Sequence, residues 1–239
     1  MNRLEKKIEQ IFTKKTNSIG FGNSSGKKIE KKILLFIEAD SIIDHYSDLI
    51  DGFLIKNLEI DKFKKVKSKN LIGIKYPDKL LDINKINEYK YDFVIIDDSK
   101  LSYKYLNNNS KTIYQIDEDI SDDDSDIISS FDFPVLYIEF KENLNFDDIE
   151  SFFKLTKITS KFNVNFFIKT NRILSSDQLQ ILFNLGIIGL ILDSKISNKK
   201  NITDLNKSLM NIQTEKKKLD SFPDLSNSLS SSVEDDFDE

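Results

Sequence analysis

From Ile33 onward the chain repeats one pattern. Short apolar runs of five to seven residues recur: ILLFIE (33–38), GFLIK (52–56), LIGIK (71–75), DFVIID (92–97), TIYQID (112–117), PVLYIE (134–139), NFFIK (165–169) and IIGLILD (187–193). Each is too short for a helix, rich in Ile, Val, Phe or Tyr, and ends at a charge. Near-continuous apolar character, as opposed to alternation, marks strands buried on both faces of a parallel sheet.

The intervening stretches carry helical spacing. Leu4, Ile8, Ile11 and Phe12 predict a short amphipathic helix over 3–13. Asp147 to Phe162 places Ile149, Phe152, Phe153, Leu155 and Ile158 on one stripe, with acids in the first turn. Ser175 and Gln178 have capping-box spacing, and Gly186 is placed as the C′ residue that ends the following helix. A further helix is expected over 78–89, after Pro77. The links 98–110 and 118–130 read as short or ragged. Asn107-Asn108-Asn109 and Asp122-Asp123-Asp124 are poor helix interiors.

Eight strands alternating with helices over roughly 190 residues predict an α/β chain folded as a single (β/α)8 TIM-like barrel with some shortened crossovers. The doubly wound sheet shares the rhythm. The count of eight, and the lack of a Gly-rich turn after the first strand, favour the barrel. The expected organisation is an N-terminal helix and Gly-rich entry over 1–31, the barrel over 32–218, and a disordered, Ser-rich acidic tail over 219–239.

Composition narrows the chemistry. The sequence has no cysteine and one histidine, His45, so thiolate nucleophiles and His- or Cys-based metal sites are excluded and no metal is assigned. His45 reads as a surface or helix-packing residue. Net charge is −5 and arginine occurs only at Arg3 and Arg172, which disfavours nucleic acid as a partner. The N-terminus lacks the apolar core of a signal peptide, and no apolar run approaches a membrane span, so a cytoplasmic protein without a membrane partner is expected. The glycine-rich SIGFGNSSGKK (18–28) does not have P-loop spacing. Asp119 to Asp126 lacks the glycine of a calcium loop and reads as a solvated acidic turn.

NEYKYDFVIID (87–97) and NLGIIGLILD (184–193) resemble strand entries of aldolase-type TIM barrels, as do FNVNFFIKT (162–170) and IDGFLIK (50–56). The resemblance spans roughly residues 33 to 215. More narrowly, the chain resembles an uncharacterised bacterial group of barrels sharing the SIGFG entry, shortened middle crossovers and no defined active-site motif. Phosphate-gripping members of the wider family carry glycine turns after strands seven and eight. Here Thr170-Asn171-Arg172 and Asp193-Ser194-Lys195 stand in those places. The resemblance therefore implies the fold, transfers no catalytic residue and assigns no cofactor.

Barrel active sites lie at the carboxyl ends of the strands. Those ends carry Glu38, Lys56, Lys75, Asp97, Asp117, Glu139, Lys169 and Asp193, one charge per strand. Lys169 and Glu139 are the candidate catalytic residues: Lys169, the stronger, is a lysine whose pKa could be lowered for base or Schiff-base chemistry, and Glu139 stands on the preceding strand. Glu38, Lys56, Lys75, Asp97, Asp117 and Asp193 are candidate ligand contacts. A rim of ion pairs that merely solvates the barrel top is the competing reading. Three functions follow: a barrel that binds a small anionic or carbonyl-bearing metabolite, a catalytically silent interaction module whose acidic tail meets a basic protein partner, and a nicotinamide- or flavin-dependent oxidoreductase lacking the supporting glycines.

Overall fold

The computed structural model describes residues 2–13, 31–56, 68–75, 91–97, 111–142 and 144–213. The strands are β1 (Leu34–Ala39), β2 (Gly52–Ile55), β3 (Leu71–Lys75), β4 (Phe93–Ile96), β5 (Thr112–Asp117), β6 (Leu136–Glu139), β7 (Phe166–Thr170) and β8 (Ile187–Leu192). All eight pair in parallel, each with its sequence neighbour, and β8 closes on β1. The expected (β/α)8 barrel is the fold. Every predicted run coincides with a strand, to within two residues at either end.

The barrel interior is built on three cross-strand pairs of phenylalanine and glycine. Phe36 of β1 lies in register with Gly52 of β2, Phe93 of β4 with Gly73 of β3, and Phe167 of β7 with Gly189 of β8. Each ring lies over its glycine. A Cβ at Gly73 would come within 2.2 Å of the Phe93 ring, and one at Gly189 within 2.1 Å of Phe167. The missing side chains let the rings meet on the axis. Phe36 and Phe93 pack edge to face at 5.5 Å, and Phe93 and Phe167 do so at 6.0 Å. Leu34, Leu54, Leu71, Ile95, Ile113, Val135, Tyr137, Ile188 and Ile191 complete this inner cluster.

The opposite strand faces pack outward onto helices. Leu155 and Ile158 of α3 (Ile149–Thr159), Leu179 and Leu182 of α4 (Ser176–Asn184), and Ile202, Leu205 and Leu209 of α5 (Lys199–Met210) join that outer layer. The Ser175–Gln178 capping box forms as expected, and Gly186 ends α4 with φ +84°.

One local expectation is revised. The 118–130 link holds a regular helix, α2 (Asp122–Ser129), capped by the Ser121 hydroxyl, which accepts from the Asp124 N–H at 3.0 Å. The three aspartates form its first turn instead of its interior, where the helix dipole favours them. His45 lies exposed, on the surface as expected, in a 3-10 turn (Asp44–Tyr46), with its ring tilted against that of Tyr46 at 4.0 Å.

The helix α1 (Arg3–Phe12) closes the N-terminal end of the barrel. Leu4 and Ile11 are buried in the inner cluster. Arg3 donates to the carbonyls of Lys69 (2.6 Å) and Asn70 (3.1 Å) and to Asp92 Oδ2 (3.3 Å), all just before β3 and β4. The expected helix over 78–89, the link 98–110, the Gly-rich 18–28 and the tail 219–239 lie outside the described residues.

Candidate functional site

Strand periodicity places the eight terminal charges on one surface. Side chains two apart share a strand face. Glu38 follows Phe36, Lys56 follows Leu54, Lys75 follows Gly73 and Asp97 follows Ile95, each by two. Asp117, Glu139, Lys169 and Asp193 follow Gln115, Tyr137, Phe167 and Ile191 in the same way. The predicted positions therefore form the inward layer directly above the phenylalanine core, at the C-terminal mouth.

Six of the eight are brought together. Glu38 is 2% exposed and forms the floor of the mouth. Its Oε2 lies 2.6 Å from Lys169 Nζ and 2.8 Å from Lys56 Nζ. Asp193 Oδ2 stands 3.6 Å from the same Lys169 nitrogen. Across the mouth, Lys75 Nζ meets Glu139 Oε2 at 2.6 Å and lies over the Tyr137 ring at 5.7 Å. Glu139 is thus the partner of Lys75, with its charge also felt by Lys169. Asp97 and Asp117 are exposed and enter no ion pair among the described residues.

The electrostatics reverse one expectation. Burial pulls the Lys169 pKa down, but contact with Glu38 and the charges of Glu38, Asp193 and Glu139 push it up further. The net result is raised, not lowered, so Lys169 is held as an ammonium and is not poised as a Schiff-base nucleophile. Asp193 is held below the usual carboxylate range, first by the Lys195 N–H and then by Lys169 and Lys56. Burial, with the nearby charges of Glu139 and Glu38, raises the Tyr137 hydroxyl well above its ordinary value.

The turns beyond β7 and β8 close on themselves. The Arg172 N–H donates to Thr170 Oγ1 at 3.1 Å, and the Lys195 N–H donates to Asp193 Oδ1 at 2.9 Å. In phosphate-gripping barrels the amides at these turns face the ligand; here these two are already engaged within their own turns.

Two residues of the mouth escaped the sequence reading. Tyr137 is 1% exposed, and Gln115 presents a buried Oε1 without a hydrogen-bond partner among the described residues. Both stand two positions before a strand-end charge on the same face, and that spacing was the available signal. Beside the mouth, a cavity of about 570 Å³ opens between the β5 and β6 ends and the start of α3, lined by Glu118, Asp119, Lys141, Asn145, Asp148 and Lys154. No group of three or more acidic or histidine side chains is placed to hold a metal among the described residues.

No family model matches the chain, and no curated protein matches it. Solved structures do. The fold is similar to that of a thiamine phosphate pyrophosphorylase from Pyrococcus furiosus, at 10% identity and TM-score 0.51, over 74% of this chain and 95% of that one. A tryptophan synthase α-subunit mutant from Pyrococcus furiosus matches at 9% identity and TM-score 0.49, over 74% and 95%. A putative fructose-1,6-biphosphate aldolase from Coccidioides immitis matches at 8% and 0.45, over 74% and 85%. The likeness is one of fold alone. The likeness to the thiamine phosphate pyrophosphorylase agrees with the closed barrel seen here.

Proposed function

We propose that the barrel binds a small metabolite at its C-terminal mouth, over Glu38. The observation that supports this most is the buried Glu38 carboxylate held between Lys56 and Lys169. Desolvating such charges costs several kcal/mol per ion, and apolar side chains of similar volume would serve the barrel as well or better. A charge cluster at the one end where barrels carry their sites is therefore better explained by a ligand than by stability.

The charge inventory narrows the ligand. The strand ends carry five acids and three lysines, and each lysine is already paired. A multiply charged anion would compete with carboxylates for every one of them. A polar, carbonyl-bearing molecule suits the mouth better. Lys169 and Lys56 would donate to its oxygen, and Gln115 Oε1, Asp97 and Asp117 would accept from its hydroxyl or amino groups. In this reading Lys169 acts as a protonated donor, and the lysine–carboxylate pairs position the ligand.

Thermal unfolding against phosphorylated sugars, keto acids, unphosphorylated sugars, flavins and nicotinamide nucleotides tests it. A ligand at about 100 times its Kd adds about 2.7 kcal/mol, or several degrees for a chain of this size. The expected result is a shift with a carbonyl-bearing, weakly charged compound that Lys169→Met abolishes in a folded variant. A flat panel, or a shift that Lys169→Met leaves intact, overturns the proposal.

A further inference from the structure

Ile149 and Phe153 of α3 share the apolar spacing of Leu155 and Ile158 but not their burial. Ile149 is 69% exposed and Phe153 64%, whereas Leu155 and Ile158 face the core. Four residues apart, the two exposed side chains stand one above the other on the outer side of the helix. Ile173, in the link before α4, and Ile181, on α4, are 39% and 43% exposed. α4 is held beside the start of α3: Gln178 Nε2 donates to the Phe146 carbonyl and to Asp147 Oδ1, both at 2.9 Å. Of the seven large apolar side chains exposed among the described residues, four therefore belong to these neighbouring elements. Single exposed apolar residues need no explanation, but a group of them on adjacent elements marks an interaction surface.

The charges around Phe153 identify what covers this surface. Acids lead the helix, at Asp147, Asp148 and Glu150, and lysines follow, at Lys154 and Lys157, all of them exposed. Glu150 and Lys157 are seven residues apart, so they share one face two turns apart, on either side of Phe153. Within one copy Glu150 meets Lys154 at 3.3 Å, and an exposed pair of this kind contributes little. Lys157 enters no ion pair among the described residues. A second α3 packed parallel to the first would set like charges together. Packed antiparallel about Phe153, two copies set Glu150 of each against Lys157 of the other. The same arrangement brings the two Phe153 rings together and opposes the helix dipoles. The face is thus complementary to itself under a two-fold rotation, which is the condition for an isologous dimer.

From this arrangement we infer that the chain forms a two-fold homodimer through the outer face of α3, with Phe153 of both copies at its centre. Ile149, Ile173 and Ile181 extend the apolar contact towards α4, and the Glu150–Lys157 pairs flank it and fix its direction. The interface uses no mouth residue, so it stands whether or not the mouth binds a metabolite.

The test is sedimentation velocity of the full-length protein over a series of concentrations up to its solubility limit. The expected result is a reversible monomer–dimer equilibrium. Phe153→Glu, at an exposed position, should leave the protein monomeric with an unchanged circular dichroism spectrum. Glu150→Lys and Lys157→Glu should each weaken dimerisation tenfold or more, and the double variant should recover most of the loss, because each lysine again meets a glutamate. A monomer at every concentration overturns the inference, and a lowered melting temperature of Phe153→Glu would then give the face to another segment of the same chain. A dimer that Phe153→Glu leaves intact overturns it too, because the copies then meet elsewhere. So do charge reversals whose losses add instead of compensating.

Discussion

At the scale of single residues, the three phenylalanine–glycine pairs make the interior intolerant of one added carbon. Gly73→Ala would set a methyl group 2.2 Å from the Phe93 ring, and neither can withdraw within the packed core. Overpacking of this kind costs about 1–3 kcal/mol. The urea midpoint of Gly73→Ala should fall accordingly, and adding Phe93→Leu should recover part of the loss. Additive losses in the double variant would contradict the pairing. Lys169 gives a test of a different sort. Its folded pKa is raised, so its pairing contributes fully below the unfolded value of 10.5 and is lost as pH rises through the folded value. The stability difference between the wild type and Lys169→Met should therefore stay constant from neutral pH to about 10.5 and close only beyond it. A difference that closed near neutral pH would mean a neutral amine and would restore the Schiff-base reading.

At the scale of elements, α1 is the piece the sequence described least well. Its amphipathic spacing predicts a helix but not where its apolar stripe goes. Leu4, fully buried in the inner cluster, shows that α1 closes the barrel from below. Leu4→Ala should cost about 2–5 kcal/mol, the range for a core leucine, measurable as a drop in denaturation midpoint. A surface helix would lose almost nothing. The strands were legible because continuous apolar runs ending at charges have few other uses. That same continuity hid which alternate residues face the axis, since both faces are apolar. The Phe–Gly pairing emerges only once strand register is known. Likewise the mouth charges were legible one by one, but their pairings were not. Glu38 and Lys169 sit on β1 and β7 with β8 between them, and only closure of the ring makes them neighbours. The sequence therefore groups Lys169 with Glu139 on the preceding strand, and the geometry pairs Lys169 with Glu38 and Glu139 with Lys75.

At the scale of the whole molecule, the two ends of the barrel differ in kind. The N-terminal end is closed by α1, whose Arg3 and Lys7 tie it to Asp92 and Asp51. The C-terminal end places a buried carboxylate above a largely apolar core and sets two lysines against it. The central claim is that this second arrangement exists for a ligand and not for the barrel. Comparing the variant Glu38→Leu, Lys56→Met, Lys169→Met with the wild type by thermal unfolding, with and without the compound that shifts the wild type, tests it most directly. The account predicts an unliganded melting temperature equal to or above that of the wild type, because apolar replacement of a buried ion cluster is neutral or stabilising, together with complete loss of the ligand shift. A variant that melts well below the wild type yet keeps the ligand shift would contradict it, and would make the cluster a structural part of the barrel.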